Sequence, residues 1–174
     1  MTAGSPDADP ARAPFLVLGL GNLLLHDDGA GLELLASLQR AGPWPLAVEF
    51  VDGGTQGLAL LGLIADRRLL LILDAVALGA APGSVHVLDG ETLAAWRVSR
   101  PGTAHQGNAL SLLEAARLLE SEPASIAVVG LEPEVLDTGI GLSASVAARL
   151  PDAVARAASL LRAALPANGT GARR

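Results

Sequence analysis

The chain has 174 residues, a formal net charge of −6, 17% charged residues and 51% hydrophobic ones. That length suits one domain with short tails, and so apolar a composition excludes an intrinsically disordered chain. The acidic balance, with two Trp, two Phe and no Tyr, offers no basic groove or stacking platform for nucleic acid, and no charge-free run approaches the roughly 20 residues of a spanning helix, so no membrane insertion is expected.

Residues 1–14 are rich in Ala, Pro, Gly and Asp and lack the basic start and apolar stretch of a signal peptide, so they read as a flexible tail of a cytoplasmic protein. Residues 15–165 form one predicted domain, and 166–174 a second flexible tail. Within the domain, Phe15–Leu20, Leu46–Asp52 and Arg68–Asp74 are short apolar runs bounded by Gly, Pro or Asp, as buried strands are. The third is apolar up to Asp74, which suits a central strand buried on both faces. Between them, Asp28–Arg40 is a predicted helix with Leu32, Leu35 and Leu38 on one face, and Gln56–Asp66 a second helix. This βαβαβ order calls for right-handed parallel connections.

Only eight residues lie between Asp74 and Gly83, too few for a parallel crossover. Ser84–Asp89 is therefore expected to be an antiparallel strand, reached through a turn at Ala80-Ala81-Pro82-Gly83. A helix over Asn108–Ser121 follows, with Leu112, Leu113, Ala116 and Leu119 on one side, and then a fifth strand, Ser125–Leu131. Ser143 has the character of an N-cap, and Pro151 suits the first turn of a renewed helix carrying Val154, Ala157, Leu161 and Leu165. The expected fold is α/β: a five-stranded, mostly parallel twisted sheet with one antiparallel strand, sandwiched by helices.

The residue inventory restricts the chemistry. Without Cys or Lys there is no thiolate ligand, Cys nucleophile, Schiff base or Walker lysine. What remains is Asp, Glu, Ser, Thr, the backbone, an added metal and three histidines, His26, His86 and His105. Ligands of such sheets bind beyond the carboxyl ends of the strands. There the chain carries Gly19-Leu20-Gly21-Asn22 leading to His26-Asp27-Asp28-Gly29, then Asp52-Gly53-Gly54-Thr55, then Asp74. A dinucleotide fingerprint fails because Leu24 stands at its third glycine, and HExxH and GxSxG motifs are absent. Acids converging on one edge need a shared proton or cation, and His105, in the loop Pro101–Asn108, can return to that edge. One imidazole with two carboxylates is a sensible site for a borderline divalent ion with open positions. His86 falls inside a strand and reads as structural, and His26 as a supporting neighbour of Asp27-Asp28.

These segments, together with Asp27-Asp28-Gly29-Ala30-Gly31, Asp74-Ala75, His105-Gln106, Gly130-Leu131-Glu132-Pro133 and Gly141-Leu142-Ser143, resemble the [NiFe]-hydrogenase maturation endopeptidases from about Phe15 to Leu165. The resemblance implies a peptidase that clips the C-terminal extension from a hydrogenase large-subunit precursor after nickel insertion; a cytoplasmic monomer is expected. It implies that Asp28, Asp74 and His105 are both the catalytic residues and the contacts to a Ni²⁺ delivered with the substrate, with Asp27 the alternative to Asp28. It further implies that Asp52, Gly53, Gly54 and Thr55 bind substrate. Metal-assisted and carboxylate-driven, aspartic-type hydrolysis both remain open. So do a non-catalytic, metal-dependent chaperone of the large subunit and a nucleotide-binding α/β enzyme.

Overall fold

A computed structural model describes residues 12–99 and 108–166. Five strands form one sheet in the order β2-β1-β3-β5-β4. β1 (Phe15–Leu20), β2 (Val48–Gly54), β3 (Leu69–Ala75) and β5 (Ile126–Leu131) run parallel, and β4 (Val85–Asp89) runs antiparallel at the edge. The short connection after β3 does reverse the chain, but β4 does not pair with β3. β5, formed later, inserts between them and supplies the ladder to both.

Side chains alternate across this sheet into two cores. Phe15, Val17, Leu69, Leu71, Leu73, Val129 and Leu131 pack on one face against helices α1 (Ala30–Arg40) and α5 (Ala144–Ala164). Leu16, Leu18, Leu20, Leu70, Ile72 and Val128 pack on the other against α2 (Leu61–Ile64), α3 (Gly90–Ser99) and α4 (Asn108–Leu118). Burial on both faces is why β1 and β3 are continuous apolar runs rather than alternating ones. The expected helical sandwich is present.

Several helical expectations need correction. The buried face of α1 is Gly31, Leu34, Leu35 and Leu38, with Leu32 only half-buried, because the first turn meets the sheet through Gly31. The predicted Gln56–Asp66 helix is a 3₁₀ turn, Gly57–Leu60, running into the single turn of α2. α4 ends at Leu118, and Leu119 is exposed just before Glu120 takes a left-handed conformation (φ +53°). No helix restarts at Pro151: α5 runs through it unbroken from its Ser143 N-cap. The proline and Ala147, whose carbonyl it leaves without an amide donor, are on the exposed side, where water can replace the bond. α3 was not anticipated at all.

Of the predicted N-terminal tail, residues 1–11 lie outside the described residues, as do 167–174 at the other end. Residues 12–14 are hydrogen-bonded to the domain: Arg12 donates to the Ala65 carbonyl, buried Arg67 to that of Ala13, and the Arg68 and Leu69 amides to that of Pro14. No helix among the described residues is long and apolar enough to cross a membrane.

Candidate active site

The carboxyl ends of β1 and β3 are neighbours, and α1 is set hard against both. A Cβ on Gly31 would lie 2.2 Å from the Leu20 carbonyl oxygen and 2.3 Å from that of Leu73. Only glycine lets the helix start so close to the strand ends. Gly21, at φ +127°, performs a similar service, since a Cβ there would lie 1.9 Å from the Asp28 carbonyl oxygen. The loop from β1 thus folds back on itself, through the 3₁₀ turn His26–Gly29, and delivers Asp28 beside Asp74, the sixth residue of β3.

The two acids are held differently. Asp28 is half-buried, and its Oδ2 accepts from the Asn22 amide at 2.8 Å. Burial raises its carboxyl above the ordinary value, partly offset by that amide. Asp74 is 4% exposed. Its Oδ1 accepts from the Ala75 amide at 2.9 Å, while its Oδ2 is buried with no hydrogen-bond partner among the described residues. Burial pushes the Asp74 carboxyl up to about 7; the Ala75 amide opposes this, the nearby Asp28 charge adds to it, and the Ala109 amide at the start of α4 opposes it. A buried carboxylate with one unsatisfied oxygen beside a second raised carboxyl is a site that a cation or a shared proton would relieve. The residues therefore fit a metal ion chemically. Among the described residues no group of three His, Asp and Glu side chains comes together. His105 lies outside them, and the helix that follows it begins with an amide directed at Asp74.

Asp27 behaves quite unlike Asp28. It is fully buried, and its carboxylate accepts from the Glu134 and Val135 amides, both at 2.9 Å, the Ser143 amide at 2.7 Å and the Ser143 hydroxyl at 2.8 Å. Burial alone would raise its carboxyl, but these hydrogen bonds outweigh it and hold the group below the ordinary value. Of the pair, Asp27 is fully engaged in bracing, whereas the Asp28 charge acts on Asp74. His26 braces the same two loops: its amide donates to the Gly139 carbonyl at 2.9 Å, and its Nδ1 lies 3.0 Å from the Gly141 carbonyl oxygen. His86, as expected of a strand position, is structural, with Nε2 2.8 Å from Glu132 Oε2. Glu132 also accepts from the Leu78 and Gly79 amides, fixing the turn after β3.

The Asp52–Thr55 segment ends β2 at the same edge. Asp52 pairs in register with Gly19, and the Gly54 carbonyl accepts from the Gly21 amide at 3.1 Å. Asp52 and Thr55 are exposed, whereas Gly53 is buried against Leu18, Leu20 and Leu60. The bracing roles of Asp27 and Glu132 were missed in the sequence. The signal available there was only that both stand beside glycine- and proline-rich turns.

Fold and site together define a doubly wound α/β protein with a cation-compatible carboxylate pair where such sheets bind ligands. Residues 32–160 match the HycI family, hydrogenase maturation protease. The chain is 36% identical over 148 residues to the hydrogenase 2 maturation protease of Escherichia coli (strain K12), covering 84% of this chain and 90% of that one. Its structure resembles the hydrogenase maturating endopeptidase HybD from E. coli, with a TM-score of 0.76 at 35% identity over 86% of this chain and 92% of that one. It also resembles the [NiFe] hydrogenase maturation protease HybD from Thermococcus kodakarensis, with a TM-score of 0.65 at 26% identity over 84% and 97%. The chain belongs to the hydrogenase maturation protease family, a family of endopeptidases.

Proposed function

We propose that this endopeptidase removes the C-terminal extension of a nickel-loaded [NiFe]-hydrogenase large-subunit precursor, acting as a cytoplasmic monomer. Family membership supports the reaction class, and the observation that carries the metal requirement is the buried Asp74 Oδ2, without a hydrogen-bond partner among the described residues, beside Asp28. The nickel belongs to the substrate. Asp28, Asp74 and His105 recognise it, and Asp52-Gly53-Gly54-Thr55, on the same edge, contact the polypeptide around the scissile bond.

When the precursor is bound, its ion neutralises the two acids and supplies Lewis-acid polarisation near the scissile carbonyl. The chain's own part is proton transfer and orientation. A carboxylate oxygen of the Asp28–Asp74 pair not engaged by the ion takes a proton from the attacking water and returns it to the departing amine. Water oxygen bonds to the carbonyl carbon, the C–N bond breaks, and the amine leaves with that proton. Asp27 holds Asp28 in place without joining the chemistry.

The test is incubation of purified, nickel-loaded precursor with the enzyme, read by gel mobility and by mass spectrometry of the released peptide. Wild-type enzyme is expected to release the peptide, and Asp28→Ala, Asp74→Ala and His105→Ala to release none. Wild-type processing by all three variants would overturn the site assignment. Equal cleavage of nickel-free precursor would overturn the metal requirement.

A further inference from the structure

Two loops build the rim of the candidate site, residues 21–29 and 132–143, and they are stitched together. The Gly139 amide donates to the Leu24 carbonyl at 2.9 Å, the His26 amide to the Gly139 carbonyl at 2.9 Å, and the Asp27 amide to the Val135 carbonyl at 3.0 Å. On this joined rim four large apolar side chains face solvent: Leu23 (47% exposed), Leu24 (60%), Leu136 (46%) and Ile140 (82%). Leu58 and Leu78, beyond the ends of β2 and β3, are exposed as well. Single exposed leucines are ordinary, but a group on hydrogen-bonded loops around a site marks an interaction surface.

The described loops of this edge carry acids and no basic residue of their own, and Arg149 of α5, packed beside Gly83, is paired with Asp152 at 3.0 Å. Segments 21–29, 52–58, 76–84 and 132–143 contain six Asp and Glu residues, namely Asp27, Asp28, Asp52, Glu132, Glu134 and Asp137, and no Arg or Lys. Asp27 and Glu132 are consumed inside the fold, while Asp52 and Asp137 are exposed. The arginines at positions 12, 40, 67, 68 and 117 belong to the opposite ends of these strands and helices. A second copy of the chain would bring acid against acid at this edge, and an anionic lipid surface would be repelled by it.

We propose that the rim formed by Leu23, Leu24, Leu136 and Ile140 docks a polypeptide surface that is apolar and basic, and that this is the part of the precursor adjoining the cleaved extension. The proposal rests on the reading given under the previous heading. It assigns substrate affinity to apolar contact and opposite charge outside the metal-reading residues, so that precursors are selected by surface before the ion is sensed.

The test is steady-state processing of nickel-loaded precursor by a Leu24→Ser/Ile140→Ser variant, with Leu118→Ser, equally exposed but at the end of α4, as the control. Both positions are solvent-facing, so thermal melts should match wild type. The double variant is expected to raise KM about tenfold while kcat moves far less, the control to leave both unchanged, and added salt to raise the wild-type KM. A wild-type KM in the double variant, or a KM indifferent to salt, overturns the proposal. A wild-type dimer that the double variant dissolves, seen by sedimentation velocity, also overturns it by making a second copy the occupant. If wild-type enzyme cleaves no precursor, the peptidase reading fails separately. Calorimetric binding of the intact precursor to wild type and double variant then decides docking, and equal affinity overturns it.

Discussion

Asp27 and Asp28 are adjacent in the chain and carry the same side chain, yet their surroundings give them opposite characters. Three amides and a hydroxyl converge on Asp27, whereas Asp28 receives one amide from Asn22. Truncating Asp27 strands those donors in a buried place, so Asp27→Ala is predicted to lose about 3 kcal/mol or more of stability, measured by urea denaturation. Asp28→Asn keeps the shape of a half-buried side chain and is predicted to change stability by less than about 1 kcal/mol while abolishing processing. Glu132 gives the pH dependence. Burial would raise its carboxyl, but the Leu78 amide, the His86 side chain and the Gly79 and Ala80 amides hold it below its ordinary 4.5. The unfolded chain therefore takes up the proton first as pH falls. Its contribution is fully present above about pH 4.5 and is lost as pH falls through the lower folded value. Glu132→Gln is predicted to be less stable at pH 7 and to show a shallower loss between pH 5 and 3 than wild type, by urea denaturation at each pH; parallel acid limbs would contradict this.

At the scale of elements, α1 sets the geometry by approaching two strand ends that only a glycine tolerates. Gly31→Ala must push the helix off the Leu20 and Leu73 carbonyls, at a cost of about 1–3 kcal/mol. It should also cut processing, because α1 follows directly on the turn that carries Asp28. Retention of full activity with full stability would show that the close approach is unimportant. The strands were legible because fully buried parallel strands are short apolar runs ending in Asp or Gly, and of the strand-end acids Asp28 and Asp74 are close enough in the fold to interact. α3 was not legible: among its residues of described burial, Leu93 and Trp96 alone are firmly buried, so it has almost no apolar periodicity. Pro151 misled because its breaking effect depends on whether the freed carbonyl faces water, which sequence does not display. The brace at Asp27 joins residues 107 to 116 positions apart, beyond any local pattern. The partner of β4 was hidden for the same reason, since β5 arrives more than thirty residues later.

Across the whole molecule, the sheet divides labour between its two ends. Arginines, among them buried Arg67 paired at 2.7 Å with the partly exposed Glu49, stabilise the amino end. The carboxyl end gathers glycine turns, exposed leucines, and Asp28 and Asp74, whose ionisation the fold disfavours. A carboxylate kept short of partners is destabilising on its own, a cost that the proposed delivery of a cation with the substrate would offset. The most direct test of this account is a parallel digest of nickel-loaded and nickel-free large-subunit precursor by wild type and Asp74→Asn, with mass spectrometry of the released peptide. The account predicts release only from nickel-loaded precursor with wild-type enzyme. Equal release from both precursors, or undiminished release by Asp74→Asn, would contradict it.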